Sequence, residues 1–241
     1  MTKASSTTSK TISRAIDPSP ARPPEPARDC PLCPRLVAYR EENAAAHPDW
    51  YNGAVSSFCP KGGASSVSLL IVGLAPGVQG ANRTGRPFTG DYAGDLLYQT
   101  LGSFGWATGP YDKRPDDGLE LTGAMITNAV RCVPPQNKPT AAEINRCRPF
   151  LRSRISSLPR LDVILSLGKI AHDSVVRTLG LKLKDHPFGH NVHYAVTAEG
   201  GRPLALAASY HCSRYNTNTG RLTEEMFADV FRQIAKRVDR Q

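Results

Sequence analysis

The chain has 241 residues, of which 40% are hydrophobic and 21% charged, with a formal net charge of +9. That length suffices to bury a substantial core in one domain, and no apolar run approaches the roughly 20 residues of a membrane span. The excess of Lys and Arg favours polyanionic partners, mainly nucleic acid or an anionic membrane surface.

The first residues lack the apolar core of a secretory signal, so a cytosolic compartment with reduced thiols is the expectation. In such a compartment the six cysteines point to metal or cluster ligation for some of them rather than to disulfides. Residues 1–28 are rich in Ser, Thr, Pro, Lys and Arg and poor in apolar side chains. They are expected to form a disordered basic tail, with residues 29–241 as a single domain. Structure is expected to begin at Asp29-Cys30-Pro31-Leu32-Cys33-Pro34, followed by a short helix over Arg35–Glu42 and a loop from Trp50 to Ala64. Cys59, in that loop, has no spaced partner and reads as an ordinary thiol.

The stretch from Val67 to Asp91 organises the rest of the chain. Val67-Ser-Leu-Leu-Ile-Val72 is a buried strand that stops at Gly73. Gly73, Gly77, Gly80, Gly85 and Gly90 then punctuate a loop carrying Asn82, Arg83, Arg86, Phe88 and Asp91, and a helix is expected over Tyr92–Phe104. A glycine-rich loop between a buried strand and the next helix is where open α/β sheets bind ligands. It lacks the Lys-Ser/Thr ending of a nucleotide-triphosphate cradle.

Gly109–Leu121 is a polar connector. Ala124–Val130 is a second buried strand, and Thr140 with Glu143 forms a capping box for a helix over Ala141–Ser157. Asp162–Leu167, a helix over Lys169–Leu179, an edge strand near His193–Val196, a core strand Leu204–Ser209 and a last helix over Thr223–Val238 complete the pattern. Four apolar strands alternating with helices predict a three-layer α/β/α sandwich around a central four-stranded, mainly parallel sheet. The loops after Val72, Val130 and Ser209 then share one sheet edge and converge on one site. His172, His186, His190 and His193 read as mostly structural, with His190, in a connector leading to the sheet edge, the best spare candidate.

Cys30-x2-Cys33 is joined much later by Cys132 and Cys147. Four thiolates suit a tetrahedral zinc or a [4Fe–4S] cluster, and spacing alone does not choose between them.

Several motifs together resemble family 5 (type b) uracil-DNA glycosylases. They are Gly73-Leu-Ala-Pro-Gly77, Asn82-Arg-Thr-Gly-Arg-Pro-Phe-Thr-Gly-Asp91, the four cysteines, Pro134-Pro-Gln-Asn-Lys-Pro139, and the run from Ser209-Tyr-His-Cys-Ser-Arg to Thr223. The resemblance covers about residues 29–238. It implies the uracil-DNA glycosylase fold, a [4Fe–4S] cluster on Cys30, Cys33, Cys132 and Cys147, and excision of uracil and other deaminated bases such as hypoxanthine from DNA. By the same resemblance Asp91 is the catalytic carboxylate, Phe88 stacks on the extruded base, Asn137 reads its edge, and His211 stabilises the leaving anion. Gly73, Ala75 and Gly77 line the base pocket. Other branches carry an acid or amide where this chain has Leu74 and Ala75, which moves the catalytic burden to Asp91. Cys212 stands where small, branched or proline residues are more usual.

That chemistry requires donors aimed at the departing base and anionic groups near the sugar, and the base must be flipped out of the duplex. Arg83, Arg86, Lys138 and Arg221 are the candidate phosphate contacts, and Arg214 and Tyr215 are placed to enter the vacated space. The expected setting is a monomer in a bacterial or archaeal cytoplasm, near the nucleoid, working ahead of abasic-site repair enzymes and away from membranes. Two alternatives remain open from sequence: a damaged-DNA or abasic-site binder that keeps the fold without turnover, and a zinc-dependent hydrolase of small nucleotides.

Overall fold

A computed structural model describes residues 24–238. Most of the predicted tail, residues 1–23, lies outside the described residues.

The sheet is built from β1 (Leu69–Gly73), β4 (Ala124–Asn128), β5 (Val163–Leu167), β6 (Val192–Thr197) and β7 (Pro203–Ser209), in the order β4-β1-β5-β7-β6. The first four run parallel, and β6 closes one edge antiparallel to β7. The central sheet therefore has five strands rather than four. The edge segment expected near His193 pairs over its full length, and its side chains are only half-buried. Such a segment has weak apolar patterning, which is why periodicity alone understates it.

Residue parity separates the layers. Leu69 and Ile71 face α2 (Tyr92–Ser103) and α6 (Glu224–Ala235), where Leu97, Leu101, Phe227 and Phe231 are buried. Leu70 and Val72 face α3 (Ala141–Ser156) and α4 (Lys169–Thr178), against Leu151, Ile155 and Val175. Strands buried on both faces explain the continuous apolar runs. The capping box of α3 forms as its sequence predicts: Thr140 Oγ1 accepts from the Glu143 amide, and the Glu143 carboxylate accepts from the Thr140 amide at 2.7 Å. None of the described helices is long and apolar enough to cross a membrane.

The connector after α2 is more structured than its polar composition suggests. Two short strands, β2 (Ala107–Thr108) and β3 (Glu120–Leu121), pair antiparallel and bracket an excursion that returns toward the glycine-rich loop. A last small cluster gathers Leu36 of α1 (Pro34–Ala46), Ala54, Val130, Cys132, Cys147 and Phe150.

Residues 24–28, assigned to the tail from composition, are seated against the domain. Glu25 Oε2 accepts from Arg131 Nη1 at 2.6 Å and from the Ser57 amide at 3.0 Å, while Oε1 accepts from Arg154 Nε at 3.1 Å. The Arg131 side chain is 1% exposed and that of Arg154 9%. Two guanidiniums this deep need an anion, and the chain supplies it from a segment otherwise too polar to fold. Burial alone would raise the Glu25 pKa; the Arg131 charge, the Ser57 amide and Arg154 outweigh it and hold the carboxyl below its ordinary value. The stability it contributes is present above the ordinary carboxylate range and is lost as the pH falls through the lowered value. Glu25→Gln is expected to cost about 2–4 kcal/mol, because it leaves two buried cations short of their partner at a site still in part reached by water. Urea denaturation of the variant against the parent checks this, and an unchanged midpoint would refute the role.

Candidate active site

The site is assembled at the C-terminal edge of the parallel strands. β1 ends at Gly73, whose register partner is Asn128 at the end of β4. A Cβ on Gly73 would collide with Asn128 Oδ1 and come within 2.7 Å of Phe88 Cζ. Glycine is thus what lets an aromatic ring and a buried amide meet at the strand end. The loop then turns through Val78–Asn82 beneath Asp91. A Cβ on Gly80 would overlap Asp91 Oδ2, and one on Gly77 would lie 3.2 Å from it.

Asp91 occupies the N-cap position of α2, yet its carboxylate makes no capping hydrogen bond. Its Oδ1 is buried and without a hydrogen-bond partner among the described residues. Burial raises its pKa above the ordinary 3.8, against the opposing pull of the Ala93 and Gly94 amides. A buried carboxylate with an unused oxygen and raised basicity is suited to hold or deprotonate a water.

The turn before Asp91 is strained. Phe88 has φ of +52° and Gly90 +97°, a conformation that costs a non-glycine residue about 1 kcal/mol or more. No ladder satisfies its carbonyls, so side chains do. Tyr98 Oη donates to Pro87 O at 2.5 Å, Tyr111 Oη to Phe88 O at 3.2 Å, Thr84 Oγ1 to Thr89 O at 3.0 Å and Arg83 Nη2 to Gly90 O at 3.3 Å. The Phe88 ring held this way is 7% exposed.

His211 follows β7. Its ring lies nearly parallel to that of Phe88, at 25° and 5.7 Å between centroids. Asn216 Nδ2 donates to the His211 carbonyl at 2.8 Å and anchors the loop from the start of α5 (Arg214–Asn218). Burial lowers the His211 imidazole to about 4, so it is neutral at physiological pH. A neutral imidazole donates one N–H without bringing a full positive charge.

Two sequence-level assignments do not fit the geometry. Arg86 is not available to a phosphate. It is 6% exposed, and its Nη1 and Nη2 donate to the two oxygens of Asp117 at 2.9 and 2.7 Å. Its guanidinium also packs over Phe58, Tyr98 and Tyr111. Asp117 is held well below the ordinary carboxylate range, since Arg86 and the Asp112 and Leu119 amides overcome its desolvation. Asn137, for its part, is exposed on the turn Pro135–Asn137, where Gln136 and Asn137 both have left-handed backbones. The buried amide at the strand ends, beside Gly73, is Asn128, 3% exposed. A polar pair, Thr127-Asn128, inside an otherwise apolar run was the available signal for it.

Ala75 packs against the cysteine-lined cluster. Arg83 is half-buried, with its Nε on Gln79 O at 2.9 Å. Lys138 is exposed, Tyr215 is 73% exposed, Arg214 stands over the Tyr92 ring at 5.2 Å and Arg221 over Tyr210 at 4.6 Å. Cys212 is fully buried, with its thiol donating to Ala93 O at 3.3 Å. It therefore packs the base of α2 and does not face an incoming ligand. Gly168, after β5, lies beside His211, a neighbour the motifs did not show: a Cβ on Gly168 would contact His211 Cβ at 3.6 Å.

Cys30, Cys33, Cys132 and Cys147 line one small cavity, otherwise apolar but for Arg131 and Arg146. Arg131 Nε is buried there without a hydrogen-bond partner among the described residues, and Arg40 Nε nearby is in the same state. Among those residues no three Cys, His, Asp or Glu are close enough to share a single metal ion.

Comparison with known proteins agrees with this geometry. Residues 60–235 match the family model described as the uracil DNA glycosylase superfamily. The chain is 44% identical over 215 residues to the type-5 uracil-DNA glycosylase of Thermus thermophilus, covering 87% of this chain and 93% of that one. It is 39% identical over 210 residues to the type-5 enzyme of Pyrobaculum aerophilum, covering 86% and 88%. For that of Mycobacterium tuberculosis the figures are 41% over 217 residues, 86% and 77%. A type-4 enzyme, from Saccharolobus solfataricus, matches at 28% over 174 residues. With a buried carboxylate, a stacking ring, a buried amide and a neutral imidazole gathered at one sheet edge, and with likeness of this extent to the type-5 enzymes, the chain belongs to the uracil DNA glycosylase superfamily, in its type-5 branch.

Proposed function

We propose that the chain hydrolyses the N-glycosidic bond of uracil in DNA, releasing the free base and leaving an abasic site, as the opening step of base excision repair. The observation that carries this reading is that Asp91, Phe88, Asn128 and His211 gather at the strand ends around Gly73 and its loop, in a chain of this family. Substrate is double- or single-stranded DNA carrying a deaminated base, hypoxanthine included, and downstream abasic-site enzymes take the product. The working setting is a monomer in the cytoplasm.

Each role follows from chemistry. As the bond to the base lengthens, positive charge grows on the sugar and negative charge on the base. Asp91 stands where a carboxylate stabilises the first and activates water for the attack; Leu74 and Ala75 offer no polar alternative. His211, neutral, donates an N–H to the departing base. Asn128 carries an amide with both a donor and an acceptor, which matches the edge of uracil. Phe88 stacks on the extruded ring, and Arg83, Lys138, Arg214 and Arg221 with Tyr215 face the strand. A binder without turnover is the weaker reading, because the pocket retains a carboxylate of raised basicity.

The four cysteines fit a [4Fe–4S] cluster. Zinc draws four sulfurs onto one ion, with bonds of about 2.3 Å, whereas a cubane spreads them over four irons. Four cysteines around one cavity, in a chain whose motifs resemble the type-5 enzymes, are the basis for preferring the second. The orphaned Arg131 and Arg40 donors add support, since buried N–H groups there suit an anionic occupant. The cluster would tie the N-terminal segment to the residues after β4 and to the middle of α3, a structural role.

Asp91→Ala is expected to slow uracil release from a dU-containing duplex by roughly 10²–10⁴-fold. In the parent, activity should fall on the acid side with an apparent pKa above 3.8, and this limb should vanish in the variant. Unaltered turnover by Asp91→Ala would end its catalytic assignment. Asn128→Ala should lose about 100-fold in kcat/KM on uracil, while Asn137→Ala stays near parental activity; the reverse order would restore Asn137. Anaerobically purified protein should contain iron and acid-labile sulfide in equal amounts with broad visible absorption, both lost in Cys132→Ser. Stoichiometric zinc without sulfide would overturn the cluster.

A further inference from the structure

The excursion between β2 and β3 reaches back into the site through one side chain. Tyr111 Oη donates to Phe88 O at 3.2 Å and lies 3.4 Å from the Gly90 amide, which donates to it. One hydroxyl therefore clips both flanks of the strained turn that presents the Phe88 ring on one side and the Asp91 carboxylate on the other. Burial pushes the Tyr111 phenol up to about 12, so it keeps its proton and its donor.

The chain goes to some length to hold that hydroxyl. Asp117 accepts from the Asp112 and Leu119 amides at 2.9 and 3.0 Å, folding the excursion on itself. The same carboxylate pins Arg86, which lies 5.9 Å from the Tyr111 ring. The Tyr111 ring packs against that of Tyr98 at 4.6 Å between centroids. Gly94, in the first turn of α2, has no space for a side chain because Phe88 O and Tyr111 Oη fill it. Residues from well outside the glycine-rich motif are thus arranged around one hydrogen-bonded point.

We propose that Tyr111 is a positioning residue for base excision, its hydroxyl holding the turn from Phe88 to Gly90 so that Asp91 and the stacking ring are presented together. This rests on the catalytic role of Asp91 and the stacking role of Phe88. Tyr111 does not touch the substrate. Its loss relaxes the turn, lets the carboxylate drift, and lowers the rate of bond cleavage rather than the affinity for DNA.

The test uses Tyr111→Phe, which keeps the ring and its packing and removes only the hydroxyl. Uracil release is followed in single turnover as a function of protein concentration, with the parent assayed alongside. Parental protein that releases no uracil removes the enzymatic reading itself. Given an active parent, Tyr111→Phe should cleave about 10-fold more slowly, with the half-saturating concentration unchanged and a thermal midpoint within about 4 °C of the parent. In the Asp91→Ala background the same substitution should cost clearly less than in the parent, because the part of its effect that passes through Asp91 is already lost. A parental rate in Tyr111→Phe, or an equal loss with and without Asp91, overturns the proposal. Amide hydrogen exchange in the unaltered protein reads the clip without any variant: a protected Gly90 amide supports it, and free exchange there overturns it.

Discussion

Parallel pairing with both faces covered is the constraint on which the rest depends. Once Leu69–Gly73 lies between β4 and β5 with its alternate side chains in opposite cores, the chain can leave the sheet only at its ends. The register aligns Gly73 with Asn128 and Leu167 with Ser209. Four strands therefore terminate on one line, and four loops open on one side of it. Each loop brings one kind of group: a carboxylate, an amide, a closely approached glycine, an imidazole. No loop holds a complete site, and no helix face contributes one. The chemistry is a property of where the sheet stops.

At that line backbone conformation and electrostatics are handled together. At Asp91 the Ala93 and Gly94 amides pull on the carboxylate while its Oδ1 is left without a partner among the described residues. The turn leading into it needs left-handed backbone at Phe88 and Gly90, which leaves carbonyls with no ladder to join. Tyr98, Tyr111, Thr84 and Arg83 answer them one by one. The glycine-rich motif is therefore not a flexible loop. Its glycines admit close neighbours, and side chains from well outside the motif keep it rigid.

Much of this was legible in the sequence, and the failures have physical causes. The four core strands, the capping box of α3 and the loop edge are carried by local patterning, and each formed where it was expected. Asp91, Phe88 and His211 were marked by motif and meet in space. Arg86 sits in the same motif, and its sequence context could not show that Asp117, thirty-one positions away, consumes its guanidinium. Asn137 lies in a conspicuous proline-rich run, while Asn128 hides at the end of a strand whose apolar neighbours draw the eye. Tyr111 fell in what looked like a polar connector, because its work depends on a fold-back that no local period encodes. Glu25 is the same lesson at the terminus: composition described a tail, and two buried arginines elsewhere needed its charge.

Glu25 also bears on how the cysteine pocket comes together. Arg131 lies 106 positions along the chain from Glu25, and closing a loop of about that length costs the unfolded chain roughly 4–5 kcal/mol in lost freedom. Cys30 and Cys33 stand just after Glu25, and Cys132 just after Arg131. The ion pair offsets part of that ring-closure cost, and it raises the local concentration of one cysteine pair around the other. An occupant of the pocket would share the task of holding the N-terminal segment with Glu25, so its loss need not release that segment.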